Sequence, residues 1–267
     1  MNKDKRLEAF GRLLDVMDEL RVKCPWDRVK TFESLRSSTI EETYELVDAL
    51  LDHDMKNVKK ELGDLLLHVI FYSKIASEEG AFDIADVADT ECDKLIFRHP
   101  HVFGAVHADT PDEVKQNWED LKLKEKEKEH EKKRVLSGVP RTLPSLVKAY
   151  RISQKAASAG FDWETKEDIW SKVQEEISEV QAAMQSGDEV NKEEEFGDLL
   201  FALVNAARLY GVNAETALEK CNKKFISRFT YIEEQVEKQG LSLRELSLAE
   251  MENWWCEAKN KAKEKTE

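Results

Sequence analysis

Glycine and proline are scarce in this sequence, with ten glycines and five prolines among 267 residues. Because these residues break helices and form tight turns, their scarcity favours helices over a strand-rich fold with many turns. A chain of this length can also form two domains of ordinary size, each burying its own core. The composition therefore predicts an all-α protein, and the length allows two domains.

Concentrated basic stretches and long apolar runs are also missing. The formal net charge is -14, which argues against a protein that grips a nucleic-acid backbone but not against a small phosphorylated ligand. No run approaches the roughly 18 apolar residues that a membrane-spanning helix needs. Residues 1–21 contain no apolar signal-peptide core. We therefore expect a cytoplasmic protein that binds neither nucleic acid nor membranes.

Paired cysteines are the third absence. No Cys-x-x-Cys pair occurs, and the cysteines lie far apart in the sequence, at Cys24, Cys92, Cys221 and Cys256. This spacing argues against a zinc site or a disulfide framework, and fits reduced thiols in a cytosolic protein.

What the sequence does contain is an internal repeat. Residues 39–66 align without a gap on residues 173–200, and eleven positions are identical. Six of the eleven are carboxylates, and five of these have the order Glu-Glu-x-x-Glu and then, after a step of sixteen residues, Glu-x-x-Asp. The sixth is Asp54, which matches Asp188. Self-similarity at a fixed spacing indicates duplication. We predict two tandem repeats of one helical-bundle fold, residues 1–125 and 141–267, joined by a charged linker at 126–140.

Each repeat is predicted to form a helical hairpin followed by a third helix. Thr39-x-x-Glu42 has the form of a capping box, so the first helix should begin near Ile40. The return helix should begin near Met55 and continue to Ile75. The predicted turns are residues 52–54 and 186–188, and the predicted third helices are residues 84–97 and 214–237.

The duplicated carboxylates are expected to converge. Residues three or four apart on a helix share a face, so Glu42 and Glu45 point the same way, as do Glu61 and Asp64. An antiparallel hairpin can bring both pairs around one point. The second repeat has the same arrangement in Glu176, Glu179, Glu195 and Asp198.

Four neighbouring carboxylates would repel each other and raise each other's pKa unless a cation lies among them. Oxygen-only ligands indicate Mg²⁺, or Mn²⁺, rather than zinc. The alternative is that these residues form solvated helix faces, as most charge-rich stretches do. Duplication of the acids together with Gly63 and Gly197 favours the metal site. Each of these glycines costs a helix about 1 kcal/mol relative to alanine, which a close helix approach or space for a ligand would justify.

Cation and tryptophan pairs recur in both halves. Each pair has the i, i+4 spacing of one helix face, and the pairs are Lys224/Arg228, Lys94/Arg98, Trp255/Lys259 and Trp118/Lys122. Such cations neutralise phosphate oxygens, and an indole provides a surface on which a base can stack. The alternative is that the cations face solvent and the tryptophans belong to the core.

Other candidate sites are weaker. The sequence His99-Pro100-His101 is predicted to form a structural turn, and His68 to be a packed or capping histidine. Neither Gly-x-x-x-x-Gly-Lys nor Gly-x-Gly-x-x-Gly occurs, which excludes phosphate binding by a glycine-rich loop.

The acidic motif resembles the magnesium motif of the all-α nucleoside triphosphate pyrophosphohydrolases, and the two-repeat layout resembles their MazG family. The resemblance covers essentially the whole chain outside the charged linker and the extreme C-terminus. Further matching motifs are Cys-Pro-Trp-Asp at 24–27, Arg-His-Pro-His-Val-Phe at 98–103, Pro-Arg-x-Leu-Pro at 140–144 and Gly-Phe-Asp-Trp at 160–163.

The resemblance implies hydrolysis of nucleoside triphosphates of many bases between the α and β phosphates. It implies Mg²⁺ held by Glu176, Glu179, Glu195 and Asp198. It also implies phosphate contacts from Lys172, Lys224 and Arg228, and a nucleotide pocket completed by Trp255 and Lys259. Glu175, beside the ligands, is the candidate acceptor for a proton of the attacking water. We also expect a homodimer.

The repeats are not expected to be equal. Lys172 lies one helical turn before Glu176, whereas Ser38 stands at the matching position of the first repeat. We therefore predict that the second repeat carries most of the turnover. Rival functions are a non-catalytic helical interaction module, a nucleotide or metal sensor that only binds, and a narrow-specificity enzyme acting on dUTP or phosphoribosyl-ATP.

Overall fold

The computed structural model describes residues 3–108, 110, 113–114, 117–118, 121, 134–186 and 189–264, and these residues contain helices but no strand. The predicted all-α class is therefore confirmed for the described chain. The chain divides into two compact units, Met1–Glu125 and Lys126–Glu267. Residues 126–133 of the predicted linker, Lys122 and two residues of the predicted turn at 186–188 lie outside the described residues. No described helix is long and apolar enough to cross a membrane.

Five α-helices of the first unit have defined bounds, and residues 113–114, 117–118 and 121 are also helical. The five are α1 (Lys3–Lys23), α2 (Phe32–Leu51), α3 (Met55–Glu78), α4 (Ile84–Arg98) and the short α5 (Pro100–Phe103). Helices α2 and α3 pack together as the predicted hairpin, with the turn at residues 52–54. The core joins α1, α2 and α3 through Met17, Leu35, Ile70, Phe71 and Ile75.

The predicted start of the first hairpin helix was wrong. Helix α2 begins at Phe32, where Thr31 and Ser34 form a capping box in which each side chain accepts from the other's backbone N–H. The hydroxyl of Thr39 instead donates to the carbonyl oxygen of Leu35, 3.0 Å away, inside the helix. These two bonds satisfy the backbone amides of Thr31 and Ser34, and they stabilise a helix start at Phe32 rather than near Ile40.

Arg21 ties α1 to α3 and to the segment that precedes α2. Its Nη2 lies 2.7 Å from a carboxylate oxygen of Glu78, and its Nη1 donates to the backbone carbonyls of Asp27 and Lys30. The guanidinium also lies 5.6 Å from the ring centre of Phe71. The hydrogen bond from Arg21 lowers the pKa of Glu78 below its usual value.

Replacement of Arg21 by methionine is expected to lower the free energy of unfolding by about 2 kcal/mol at neutral pH, because hydrogen bonds to charged groups are lost. Glu78 has a lowered pKa in the folded state, so its stabilising contribution is present above pH 4.5 and is lost as the pH falls through the folded pKa. Urea denaturation at pH 7 and pH 4 measures both effects. Arg12→Met, an exposed change on the same helix, is the control and should cost little.

Five helices also form the described part of the second unit. They are α6 (Ser145–Ser158), α7 (Ile169–Ser186), α8 (Glu189–Leu209), α9 (Ala214–Gln239) and α10 (Leu248–Glu264). Helices α7 and α8 form the second hairpin, α6 packs on α8, and α9 packs on α10. Gly240 ends α9 with φ +65°, a left-handed conformation that glycine adopts without strain. The predicted third helices are confirmed as α4 and α9.

Candidate active site

The second hairpin brings three of its four predicted metal ligands together. Glu176 and Glu179 lie on α7 and Glu195 lies on α8, and one ligand oxygen from each is within 4.8 Å of the others. We call these three residues the second cluster. Asp198 follows Glu195 by three residues on α8 and is exposed, outside this group.

Glu176 is the buried member of the second cluster, with only 4% of its surface exposed. Its Oε1 lies 2.8 Å from the ammonium of Lys172, whereas its Oε2 is buried without a hydrogen-bond partner. Hydrogen bonding with Glu176 raises the pKa of Glu179 above its usual value, and burial and the charge of Glu176 raise it further. Two ionised carboxylates offer only acceptors to each other, so the pair fits a cation between them.

Lys172 lies at the edge of the second cluster. Besides Glu176 it pairs with Glu175, whose Oε1 is 2.9 Å from the ammonium nitrogen. These two hydrogen bonds raise the pKa of Lys172, so the side chain is positively charged. The structure thus places Lys172 beside the acids as the sequence predicts, and places Glu175 against Lys172 on the exposed side of α7.

The first hairpin forms an equivalent group. Ligand oxygens of Glu42 and Glu45 on α2 and Glu61 on α3 lie within 4.8 Å of one another, and we call these residues the first cluster. Burial raises the pKa of Glu42, and the nearby carboxylates of Asp64, Glu45 and Glu61 raise it further, in that order. Asp64 thus lies close enough to influence the first cluster electrostatically.

Sequence reasoning missed Lys60, which supplies a cation to the first cluster. Its ammonium nitrogen lies 2.9 Å from Glu61, 3.5 Å from Asp64 and 3.8 Å from Glu45. Ser38, at the position that matches Lys172, provides no cation, but the first cluster receives one from Lys60 on the other helix of the hairpin. The i, i+4 spacing of Lys60 and Asp64 was the available signal.

Apart from Lys172, the predicted nucleotide-binding residues lie on α9 and α10. The guanidinium carbon of Arg228 lies 5.2 Å from the ring centre of Trp255, which packs edge-on against Phe225. Lys224 and Lys259 are exposed on the same two helices. Among the described residues, no ion pair joins this group to the second cluster.

The corresponding residues of the first unit are partly described. Arg98 lies 5.7 Å from the ring centre of Trp118, so the contact between arginine and tryptophan recurs. Lys94 pairs with Glu91 on α4, one turn earlier. Lys122, the predicted partner of Trp118, lies outside the described residues. The placement of an arginine over an indole is therefore shared by both units.

Comparison with known proteins identifies the family. The MazG nucleotide pyrophosphohydrolase domain matches residues 30–103 and again residues 164–232. The nucleoside triphosphate pyrophosphohydrolase of Escherichia coli (strain K12) is 43% identical over 258 residues, which cover 95% of this chain and 98% of that protein. The nucleoside triphosphate pyrophosphohydrolase/pyrophosphatase MazG of Thermotoga maritima is 43% identical over 252 residues, covering 94% of this chain and 95% of the relative.

The chain belongs to the MazG family. The two matched segments confirm the predicted tandem repeat, and each contains one carboxylate cluster together with its lysine. Lys224 and Arg228 also lie inside the second MazG segment, whereas Trp255 and Lys259 follow it on α10. The roles of the individual site residues remain predictions.

The donor set of the second cluster fits the divalent cation that the MazG resemblance implies. All of its donors are carboxylate oxygens, and one of them is buried without a partner. Oxygen-only sites of this kind suit Mg²⁺ and Mn²⁺. Gly63 and Gly197 are consistent with open space nearby, since an added Cβ at either position meets no atom within 4 Å. A close helix approach within the described chain therefore does not explain these glycines.

His68 and His99 hydrogen-bond within the first unit. The Nδ1 atom of His68 lies 2.6 Å from the hydroxyl of Thr39, and burial lowers the pKa of His68, which keeps the ring neutral. His99 precedes the short helix α5, and its Nδ1 lies 2.7 Å from the carbonyl oxygen of Leu95. The packed His68 and the structural turn at His99 are thus as predicted.

Proposed function

We propose that this protein hydrolyses nucleoside triphosphates, ribo and deoxy and with many bases, to the monophosphate and pyrophosphate. The second unit would hold Mg²⁺ through Glu176, Glu179 and Glu195, with Asp198 joining from the next turn of α8. Mn²⁺ could take the same place. The observation that carries the proposal is the buried, unpartnered Oε2 of Glu176 among carboxylates. Both relatives reported above are named as nucleoside triphosphate pyrophosphohydrolases.

The residues would divide the chemistry between them. A bound divalent cation would neutralise triphosphate charge and acidify a water molecule for in-line attack on the α phosphorus. The ammonium of Lys172, already charged beside Glu176, would neutralise phosphate oxygens as negative charge shifts during attack. Glu175 is an exposed carboxylate next to this lysine and would accept the proton of the attacking water.

The α9–α10 pair would hold the rest of the nucleotide. Arg228 and Lys224 would contact phosphate oxygens, and Arg228 is held beside Trp255 by the cation–π contact. Trp255 would stack on the base, and Lys259 would add a further cation. Because every base has an aromatic face, stacking tolerates many bases.

Product identification tests the reaction. The full chain is incubated with each nucleoside triphosphate and Mg²⁺, and the products are separated by chromatography and assigned by phosphorus NMR. We expect monophosphate and pyrophosphate in equal amounts from ribo and deoxy substrates. Diphosphate with inorganic phosphate would contradict cleavage between the α and β phosphates, and binding without any product would favour a sensor.

Trp255→Ala is expected to raise KM about tenfold with little change in kcat, because base stacking contributes about 1–3 kcal/mol and does not change during phosphoryl transfer. Steady-state kinetics with ATP and a pyrimidine triphosphate measure the change, and circular dichroism checks the helical content. If kcat falls while KM is unchanged, the assignment of Trp255 to base binding is wrong.

We also propose that two copies of the chain form a homodimer. An exposed apolar stripe recurs at matching positions of α3 and α8, made by Leu62, Leu66 and Val69 in the first unit and Phe196, Leu200 and Leu203 in the second. The members are spaced as one helix face, and contiguous apolar surface of this kind marks interaction sites. A second copy presents the same stripes, as a two-fold interface requires.

Light scattering is expected to report twice the 30.8 kDa chain mass at micromolar concentration. The double variant Leu66→Asp, Leu200→Asp should shift the mass towards one chain, since it buries charge in the interface. Leu248→Asp, an exposed apolar residue away from the stripes, is the control and should remain dimeric. A wild-type protein of 30.8 kDa would contradict the dimer.

A further inference from the structure

The two carboxylate clusters differ in where their lysine lies. Lys60 is on the return helix of the first hairpin, and its ammonium reaches Glu45, Glu61 and Asp64. The matching position on the return helix of the second hairpin is Glu194, which is exposed. The cation of the second unit is Lys172 on the other helix, where the first unit has Ser38. The lysine that contacts the acids thus lies on the second helix of the first hairpin, but on the first helix of the second hairpin.

This difference changes the hydrogen bonds that the buried glutamate of each cluster accepts. Both oxygens of Glu61 accept hydrogen bonds from Lys60, at 2.9 and 3.2 Å. Glu176, equally buried, receives Lys172 on Oε1 alone and keeps Oε2 without a partner. Lys172 makes its second contact to Glu175, outside the cluster. The buried glutamate of the first cluster therefore has both oxygens occupied by a cation of the same chain, whereas that of the second retains a buried acceptor for an external cation.

We propose that Lys60 is a tethered cation that competes with divalent metal ions for the first cluster, so that the second unit binds Mg²⁺ or Mn²⁺ more tightly than the first. This inference rests on the proposed metal dependence and adds to it that the repeats differ in metal affinity. A divalent ion entering the first cluster must displace the ammonium from Glu61 and then bind in its repulsive field. Because 61% of the Lys60 side chain is exposed, the ammonium can swing into solvent, and the site is weakened rather than abolished.

Binding of Mn²⁺ alone to the full chain tests the proposal, with the free Mn²⁺ signal followed by electron paramagnetic resonance and no nucleotide present. In a Glu176→Gln background, which disables the second cluster, we expect Mn²⁺ binding to be weak. Addition of Lys60→Gln should tighten it at least about tenfold, corresponding to one site per chain. Lys59→Gln, a neighbouring exposed lysine, removes the same charge outside the cluster and should change it little. Lys60→Arg keeps the cation and should leave the first cluster weak.

The converse variant places the competing cation in the second unit. Glu194→Lys, in an otherwise unchanged chain, should weaken Mn²⁺ binding at the second cluster about tenfold, and Glu193→Lys on the same exposed turn is the matched control. These readouts measure binding and need no turnover. Melting temperatures without metal provide a check, since Lys60→Gln should lower the melting temperature and Mn²⁺ should restore it.

The outcomes separate this inference from the metal assignment. If Glu176→Gln leaves Mn²⁺ binding by the chain unchanged, the metal site of the proposed function is wrong. If Lys60→Gln fails to tighten binding beyond Lys59→Gln, the competition by Lys60 is overturned whatever the second cluster does. The inference is supported if Lys60→Gln, but not Lys59→Gln, tightens Mn²⁺ binding and Glu194→Lys weakens it.

Discussion

Glu176→Gln is expected to lower kcat for nucleoside triphosphate hydrolysis about a thousandfold at saturating Mg²⁺, comparable to the loss of one preorganised electrostatic group. The substitution keeps the size of the side chain but removes the charge from the buried carboxylate whose Oε2 has no partner. Glu179 and Glu195, with Asp198 on the next turn of α8, then remain to hold a divalent ion. Helical content should not change, because glutamine can still accept from Lys172.

The corresponding change in the first unit should have a smaller effect. Glu42 occupies the same position on α2, but the ammonium of Lys60 already lies among the acids of its cluster. Glu42→Gln is therefore expected to cost about tenfold or less in kcat. Pyrophosphate release by the two variants is compared under identical conditions, with Glu193→Gln, an exposed acid next to the cluster on α8, as the control. Equal losses in Glu42→Gln and Glu176→Gln would refute unequal repeats.

Replacement of Lys172 by glutamine should lower kcat about a hundredfold or more while KM changes less. The ammonium of Lys172 is 2.8 Å from Glu176 and exposed enough, at 37% of its side chain, to meet a phosphate oxygen as well. Negative charge shifts onto phosphate oxygens during attack, so a nearby ammonium binds them more strongly in the transition state than in the ground state. Groups of this kind contribute about 3–4 kcal/mol. Glutamine keeps a donor but has no charge.

Lys172→Arg separates the charge from the geometry, and should retain more activity than Lys172→Gln because it remains a cation. Steady-state kinetics at saturating Mg²⁺ give kcat and KM for each variant. Lys238→Gln, which removes an exposed lysine paired with Glu234 near the end of α9, is the control. If Lys172→Gln raises KM at unchanged kcat, the lysine serves ground-state binding, and its proposed role during attack is wrong.

The helix boundaries show which structural features short sequence motifs predict and which they do not. Asp54 caps α3 by accepting from the backbone of Lys56 and Asn57, and the turn before it was predictable from residues 52–54. The start of α2 was mispredicted because Thr39-x-x-Glu42 has the sequence form of a capping box, whereas the observed box has Ser34 at its third helical position. The hydroxyl of Thr39 is engaged by partners that are distant in sequence, His68 and Tyr72 on α3.

The sequence by itself determined the repeat, the helical class and the acids that would face one another, because the spacing of residues on a helix fixes which side chains share a face. Glu42, Glu45 and Glu61, and their counterparts Glu176, Glu179 and Glu195, converge as that spacing requires. Only the tertiary structure decided which cation each cluster receives. Lys60 and Lys172 reach their acids from opposite helices of the two hairpins, and a long flexible side chain has many rotamers whose choice depends on the packed neighbours. Burial likewise left Oε2 of Glu176 without a partner, because the depth of a carboxylate depends on how the two helices pack.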